Sequence, residues 1–182
     1  MPVKELQAAL EILVTVKHDA PLQARWQEAV ATIAGYTAQQ FKVTEREVGL
    51  LLRTDDGGML KFVYPLALAE GSNTFPVGAP SVAGEVVKTG QGMVNNALHQ
   101  TKHMAFYEKV RLEGPKTGPI QKMVAAPIRV GTGPAMGAIE VSRKGAELAS
   151  AGPDFTQQDL VTLTEIGAAV APYLQQLRPK LY

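Results

Sequence analysis

Apolar positions recur at steps of three and four over residues 3–17, through Val3, Leu6, Leu10 and Leu13. That spacing draws one stripe along a helix. Leu22, Trp26, Ala29, Val30 and Ile33 form a second stripe, with Pro21 placed as a first-turn proline after Asp19. From residue 47 the period changes. Two apolar runs, 47–53 and 59–66, flank "TDDGG", which predicts a β-hairpin. Residues 67–80, dense in Gly, Pro, Ser and Asn, predict a loop. "SVAGEVVKTGQ" then reads as a short helix with Ser81 as its N-cap and Gly90 as its stop. "GMVNN" predicts a brief strand, and "ALHQTKHMAFYEKVRLEG" a polar helix or ordered loop ending at Gly114. "MVAAPIRV" and "MGAIEVSR" predict a second hairpin. The last helix starts at a capping pattern, Thr156 with Asp159, and its stripe runs through Leu160, Leu163, Ile166, Val170, Tyr173, Leu174 and Leu177. Pro172 lies inside that stripe and predicts a kink near residue 168; Pro179 ends it.

"GTGPAMG", residues 131–137, follows an apolar run and invites a phosphate-loop reading. Phosphate loops open helices, because a helix N-terminus supplies the N–H groups that hold the anion. Here Ala138, Glu140 and Ser142 alternate with Ile139, Val141 and Arg143, which is the period of a strand. The glycine spacing also misses G-x-G-x-x-G by one residue. A hairpin turn is the simpler reading.

Strand runs flanked by helices predict an α+β fold around one antiparallel sheet of five to six strands, with terminal helices. At 182 residues, 46% of them hydrophobic, the chain is expected to form one globular domain with an appended N-terminal helical segment over residues 1–20. The net charge of +1 leaves no footprint for nucleic acid. No signal sequence and no apolar run of membrane-spanning length is visible, so the expectation is a soluble cytoplasmic protein without membrane contact. There is no cysteine, which excludes thiol nucleophiles, disulfides and thiolate metal sites.

Several segments together resemble the GAF domain family, relatives of the PAS fold. "EVGLLLRTDDGGMLKFVYPLAL" looks like the family's first two strands, and "SVAGEVVKTGQGMVNNA" like its helix and short strand. "QKMVAAPIRVGTGPAMGAIEVSRKG" looks like its central hairpin, and "DFTQQDLVTLTEIGAAVAPYL" like its closing helix. The resemblance spans residues 21–178. It implies a sheet with helices on one face and, on the other, a small-molecule pocket roofed here by residues 67–116. It also sets limits. Members that bind bilin covalently need a cysteine, and members that reduce free methionine sulfoxide use cysteine chemistry; this chain has neither means. The N-K-x-x-F-x-x-x-D-E signature of cyclic-nucleotide binders is not matched by "NNALHQTKHMAFYEK". The cofactor stays unknown.

The segment implied as a roof also gathers the unusual polar residues, with Phe75 and Phe106 among Asn95, Asn96, His99, His103, Tyr107 and Glu108. The candidate ligand set is Phe62, Tyr64, Phe75, Asn95, Asn96, His99, His103, Tyr107 and Met123. Each has a plainer alternative. His99 and His103 share one helix face, but without an H-E-x-x-H glutamate a solvated face is the simpler reading and no metal is expected. Asn95 and Asn96 either cap the next helix or touch a ligand. Phe62 and Tyr64 line a pocket or fill the core. Met123 and Ala125 alternate on a central strand, making room for a ligand or packing on a helix.

No catalytic constellation survives. Asp55 and Asp56 fall in a turn, His18 and Asp19 read as caps between helices, and Glu45 and Glu47 as solvated residues at a strand start. The chain is therefore expected not to be an enzyme. Two readings lead: a sensory module binding a small molecule and signalling to a protein partner, or a dimerisation and interaction module with no ligand. A homodimer through the terminal helices is expected, since the Val3–Leu6–Leu10–Leu13 seam suits pairing with a second chain as well as packing on its own domain. Because "LRPKLY" stops the last helix, the chain either acts alone on separate partners or is a piece of a larger sensor.

Overall fold

The computed structural model describes residues 3–70, 73–98 and 118–181. Two helices come first, α1 (Val3–Thr15) and α2 (Leu22–Phe41). The hairpin β1 (Val48–Arg53) and β2 (Met59–Tyr64) follows, then α3 (Leu66–Ala69), β3 (Thr74–Pro76), α4 (Val82–Thr89) and β4 (Met93–Asn95). A long hairpin, β5 (Ile120–Ile128) and β6 (Gly137–Lys144), leads to the last helix, α5 (Gln157–Leu177). The six strands form one sheet in the order β3-β2-β1-β6-β5-β4, every pair antiparallel. The expected α+β architecture is present.

Alternation along the strands divides the side chains between two cores. On the first face Val48, Leu50 and Leu52 of β1, Val124, Ala126 and Ile128 of β5, and Ile139 and Val141 of β6 pack under α1, α2 and α5. Leu6, Leu10 and Leu13 of α1 are buried in the same cluster as Trp26, Ile33, Leu163, Ile166 and Leu174. The seam that suited a second chain is thus spent inside this one. What stays outside is Ile12 of α1, 46% exposed, and Val16 just past its end, 71% exposed.

The glycine-rich stretch is a turn. Met136 N–H closes it on the Ile128 carbonyl at 2.8 Å, and Gly131 takes a positive φ of 56°. Its last glycine serves packing instead: Gly137 pairs with Leu52, and a Cβ there would collide with the Leu51 carbonyl oxygen. The cap chemistry read from the sequence holds at both sites. Ser81 Oγ accepts the Gly84 N–H at 3.0 Å. Thr156 Oγ1 accepts the Asp159 N–H at 3.1 Å, while Asp159 takes the Thr156 N–H at 2.7 Å. Helix α5 runs on through Pro172. Beyond it the chain folds onto the β1–β2 turn, where Asp55 N–H donates to the Leu181 carbonyl at 2.8 Å and Arg178 reaches the Asp55 carboxylate at 2.6 Å.

Strand β4 lies beside β5, with Asn95 opposite Met123, although residues 96–119 separate the two strands in sequence.

Candidate functional site

The second face of the sheet is mostly apolar. Leu51, Leu60, Phe62, Met123, Ala125 and Ala138 look outward from the strands. Phe75 of β3 joins them at the sheet edge, and over them lie Leu68, the buried side of α4 (Val82, Ala83, Val86 and Val87) and Leu98. Among these stands Glu140. Its neighbours in sequence, Ile139 and Val141, belong to the first face, so the strand pleat sends its carboxyl to the second. It is 3% exposed, and its Oε1 has no hydrogen-bond partner among the described residues. Directly opposite on the flanking strands are Gly49 and Ala125, and two positions along is Ala138, so the carboxyl is ringed by the smallest side chains of the face.

Burial pushes the Glu140 carboxyl up to about 8, because a charge removed from water loses its hydration. The backbone N–H of Ala83, in the first turn of α4, hydrogen-bonds to the carboxyl and pulls the other way. Desolvation wins, and the group keeps its proton at neutral pH. The other charges of α4, Glu85 and Lys88, are exposed.

Phe62, Phe75 and Met123 of the candidate set meet on this face, with the Phe62 and Phe75 rings 6.3 Å apart. Tyr64 does not join them. A bulge between the Leu50–Tyr64 and Leu51–Phe62 pairs adds one residue, Val63, to β2. The phase of the strand shifts there, and Val63 and Tyr64 both turn into the first core. The Tyr64 hydroxyl donates to Glu45 Oε2 at 3.0 Å. Burial first, then that bond, pushes the phenol up to about 12.

Asn96 is a tie between segments. Its side-chain amide donates to the Phe155 carbonyl and accepts the Phe155 N–H, both at 2.9 Å. Asn95 Oδ1 accepts the Ala97 N–H at 2.9 Å, a local turn contact. His99, His103 and Tyr107 lie outside the described residues, as do Phe106 and Glu108.

The carboxylates set aside as non-catalytic have structural employment. Glu45 and Glu47 belong to a 3-10 turn before β1, not to the strand start expected for them. Glu47 Oε2 accepts from both the backbone N–H and the hydroxyl of Thr44. Asp56 Oδ1 accepts from the Thr54 hydroxyl and the Gly58 N–H. The buried Lys122 is neutralised by Asp154 at 2.7 Å and also donates to the Gly152 carbonyl. Among the described residues no group of three His, Asp or Glu side chains comes together to hold a metal.

Glu140 escaped the sequence reading because "GAIEVSR" alternates, and alternation alone suggests one wet face. The available signal was the roof: once α3 and α4 cover that side, the polar member of the alternation is buried with it.

Comparison with known proteins bears on the fold. The family model of the GAF domain matches residues 24–175. Among curated proteins none matches. A solved fragment of a methyl-accepting chemotaxis protein, residues 122 to 287, superposes with a TM-score of 0.62 at 16% identity, covering 84% of this chain and 90% of that one. The GAF domain from an Acinetobacter phosphoenolpyruvate-protein phosphotransferase gives 0.59 at 14% identity, over 96% and 95% of the two chains. A free methionine-R-sulfoxide reductase from Neisseria meningitidis, solved with its substrate, gives 0.60 at 16% identity, over 97% and 87%. At these identities the likeness is one of fold.

Proposed function

The chain belongs to the GAF domain family, and from that premise we propose that it is a regulatory module that holds a small molecule against the second face of its sheet. Occupancy is passed to a partner through the helices on the first face. The observation that carries this reading is Glu140, a buried carboxyl with an open oxygen on a face made mostly of small and apolar side chains. Buried polar groups in a finished core are hydrogen-bonded, so an open one is a place kept for something else. Fold-level analogy adds weight: one similar structure comes from a chemotaxis protein, and another holds a substrate. A route between the faces exists in β2, which gives Phe62 to the second core and Val63 and Tyr64 to the first.

A second reading has its own support. The face carries large side chains of its own (Leu51, Leu60, Phe62, Phe75), and Ile12 of α1 and Val16 just past its end stand exposed. Those facts favour an interaction module that pairs with a second copy or another protein. Native mass spectrometry of the protein purified from cell extract, with no ligand added, separates the two. A retained small molecule of defined mass supports the regulatory module. A ligand-free dimer, with no stabilisation by any metabolite pool tested, supports the interaction module and discards the first reading.

A further inference from the structure

We propose that the second face recognises a small organic cation, a primary ammonium or amidinium group seated on the carboxyl of Glu140. The inference rests on the reading that this face holds a ligand, and it names the chemistry of that ligand.

Glu140 has a partner for half of its carboxyl only. The Ala83 N–H meets it from the first turn of α4, while Oε1 faces no donor among the described residues. The missing partner of a carboxylate oxygen is a donor, and in a dry site a positively charged donor is the one that also offsets the charge. None of the described cations on the elements packed on Glu140 is bonded to it: Arg143 of β6 donates to the Pro153 and Phe41 carbonyls, and Arg53 closes β1 four residues beyond Gly49. Lys88 of α4 is exposed, and Lys122 of β5 is bound to Asp154 and Gly152. The acidic residues of those elements are also accounted for: Glu85 is exposed and Glu47 holds Thr44. Size points the same way. Gly49, Ala125 and Ala138, directly across or two positions along from the carboxyl, put the least side-chain bulk beside it. Leu51, Phe62 and Met123 keep the rest of the face apolar.

Binding is coupled to a proton. The unliganded carboxyl is neutral at pH 7, so seating R–NH3+ forms the carboxylate–ammonium pair and releases the carboxyl proton to solvent. Affinity for the cation therefore rises with pH, by up to about tenfold per unit, until the carboxyl is ionised in the free protein near pH 8.

The test uses the full chain and its Glu140→Gln variant. The probes are ethylammonium, butylammonium, acetamidinium, alanine, leucine and methionine, with the N-acetyl counterparts of the amines and amino acids. Thermal shift finds binders, and calorimetry in two buffers of different ionisation enthalpy counts protons. The expected result is that at least one cation stabilises the wild type and releases close to one proton at pH 7. Its N-acetyl counterpart does nothing, and E140Q, still folded, binds at least about tenfold more weakly. The proposal is overturned if no cation binds, if the N-acetyl form binds as well, or if E140Q binds equally. A neutral or anionic molecule retained by both proteins in native mass spectrometry would overturn the cation while keeping the ligand-binding reading. No retained molecule together with no thermal shift would overturn both.

Discussion

Replacing Glu140 with glutamine preserves the shape of the protonated side chain and removes its titration. In the folded protein the carboxyl titrates at about 8 against an ordinary value of 4.5. Between those pH values the folded state holds a proton that the unfolded state has released. A group raised in this way gives its stabilisation in full below the unfolded value, and loses it as pH climbs towards the folded one. Each pH unit in the window costs about 1.4 kcal/mol, so the step from pH 5.5 to 7.5 removes about 3 kcal/mol from the wild type. For a domain of this size that is roughly 6–12 °C in Tm. The variant feels none of it. Thermal unfolding of both proteins from pH 5 to pH 9, without ligand, should show similar midpoints at the acid end. The variant should gain steadily up to pH 8, and the gap should level off above it. Taking the difference between the two proteins cancels every other titrating group. A gap constant to within about 1 °C would mean that the carboxyl is equally ionised, folded or unfolded. The same constancy follows if the Ala83 N–H outweighs burial, because a carboxyl held below its ordinary value is ionised in both states across this range. Either way a constant gap refutes the account of this face as dry.

Asn96→Ala leaves the Phe155 N–H and carbonyl without their side-chain partner and should cost about 2–3 kcal/mol in urea unfolding. A loss below about 0.5 kcal/mol would show that water replaces the amide. Gly137→Ala drives a methyl into the Leu51 carbonyl and should cost about 3 kcal/mol or prevent folding. Gly133→Ala in the adjoining turn, whose nearest obstacle is the Val130 oxygen at 3.2 Å, should cost under about 1 kcal/mol by the same assay.

What the sequence disclosed was what neighbours in the chain decide. The helix stripes, the caps at Ser81 and Thr156 and the two hairpin turns are settled within a few residues, and they stand where the pattern puts them. The features that shape the site are settled at a distance. "MLKFVY" carries no mark of a bulge, because the extra residue exists only relative to β1. Asn96 finds its partner at Phe155, and Asp55, read as a turn former, also holds Leu181 at the far end of the chain. Glu140 is ordinary in its own strand and becomes unusual only when α4 lies over it.

The join between β4 and β5 has a bearing beyond this one chain. Two antiparallel neighbours need as few as two residues to connect them, yet residues 96–119 lie between these two. The Asn96–Phe155 clamp ties down one end of the stretch, and the β5–β6 ladder, which begins at Ile120 and Lys144, fixes the other. Length there is decoupled from strand register. A change in the number of residues between Leu98 and Gly118 therefore leaves the pairing of β4 with β5 to those two anchors, and strand register does not depend on it.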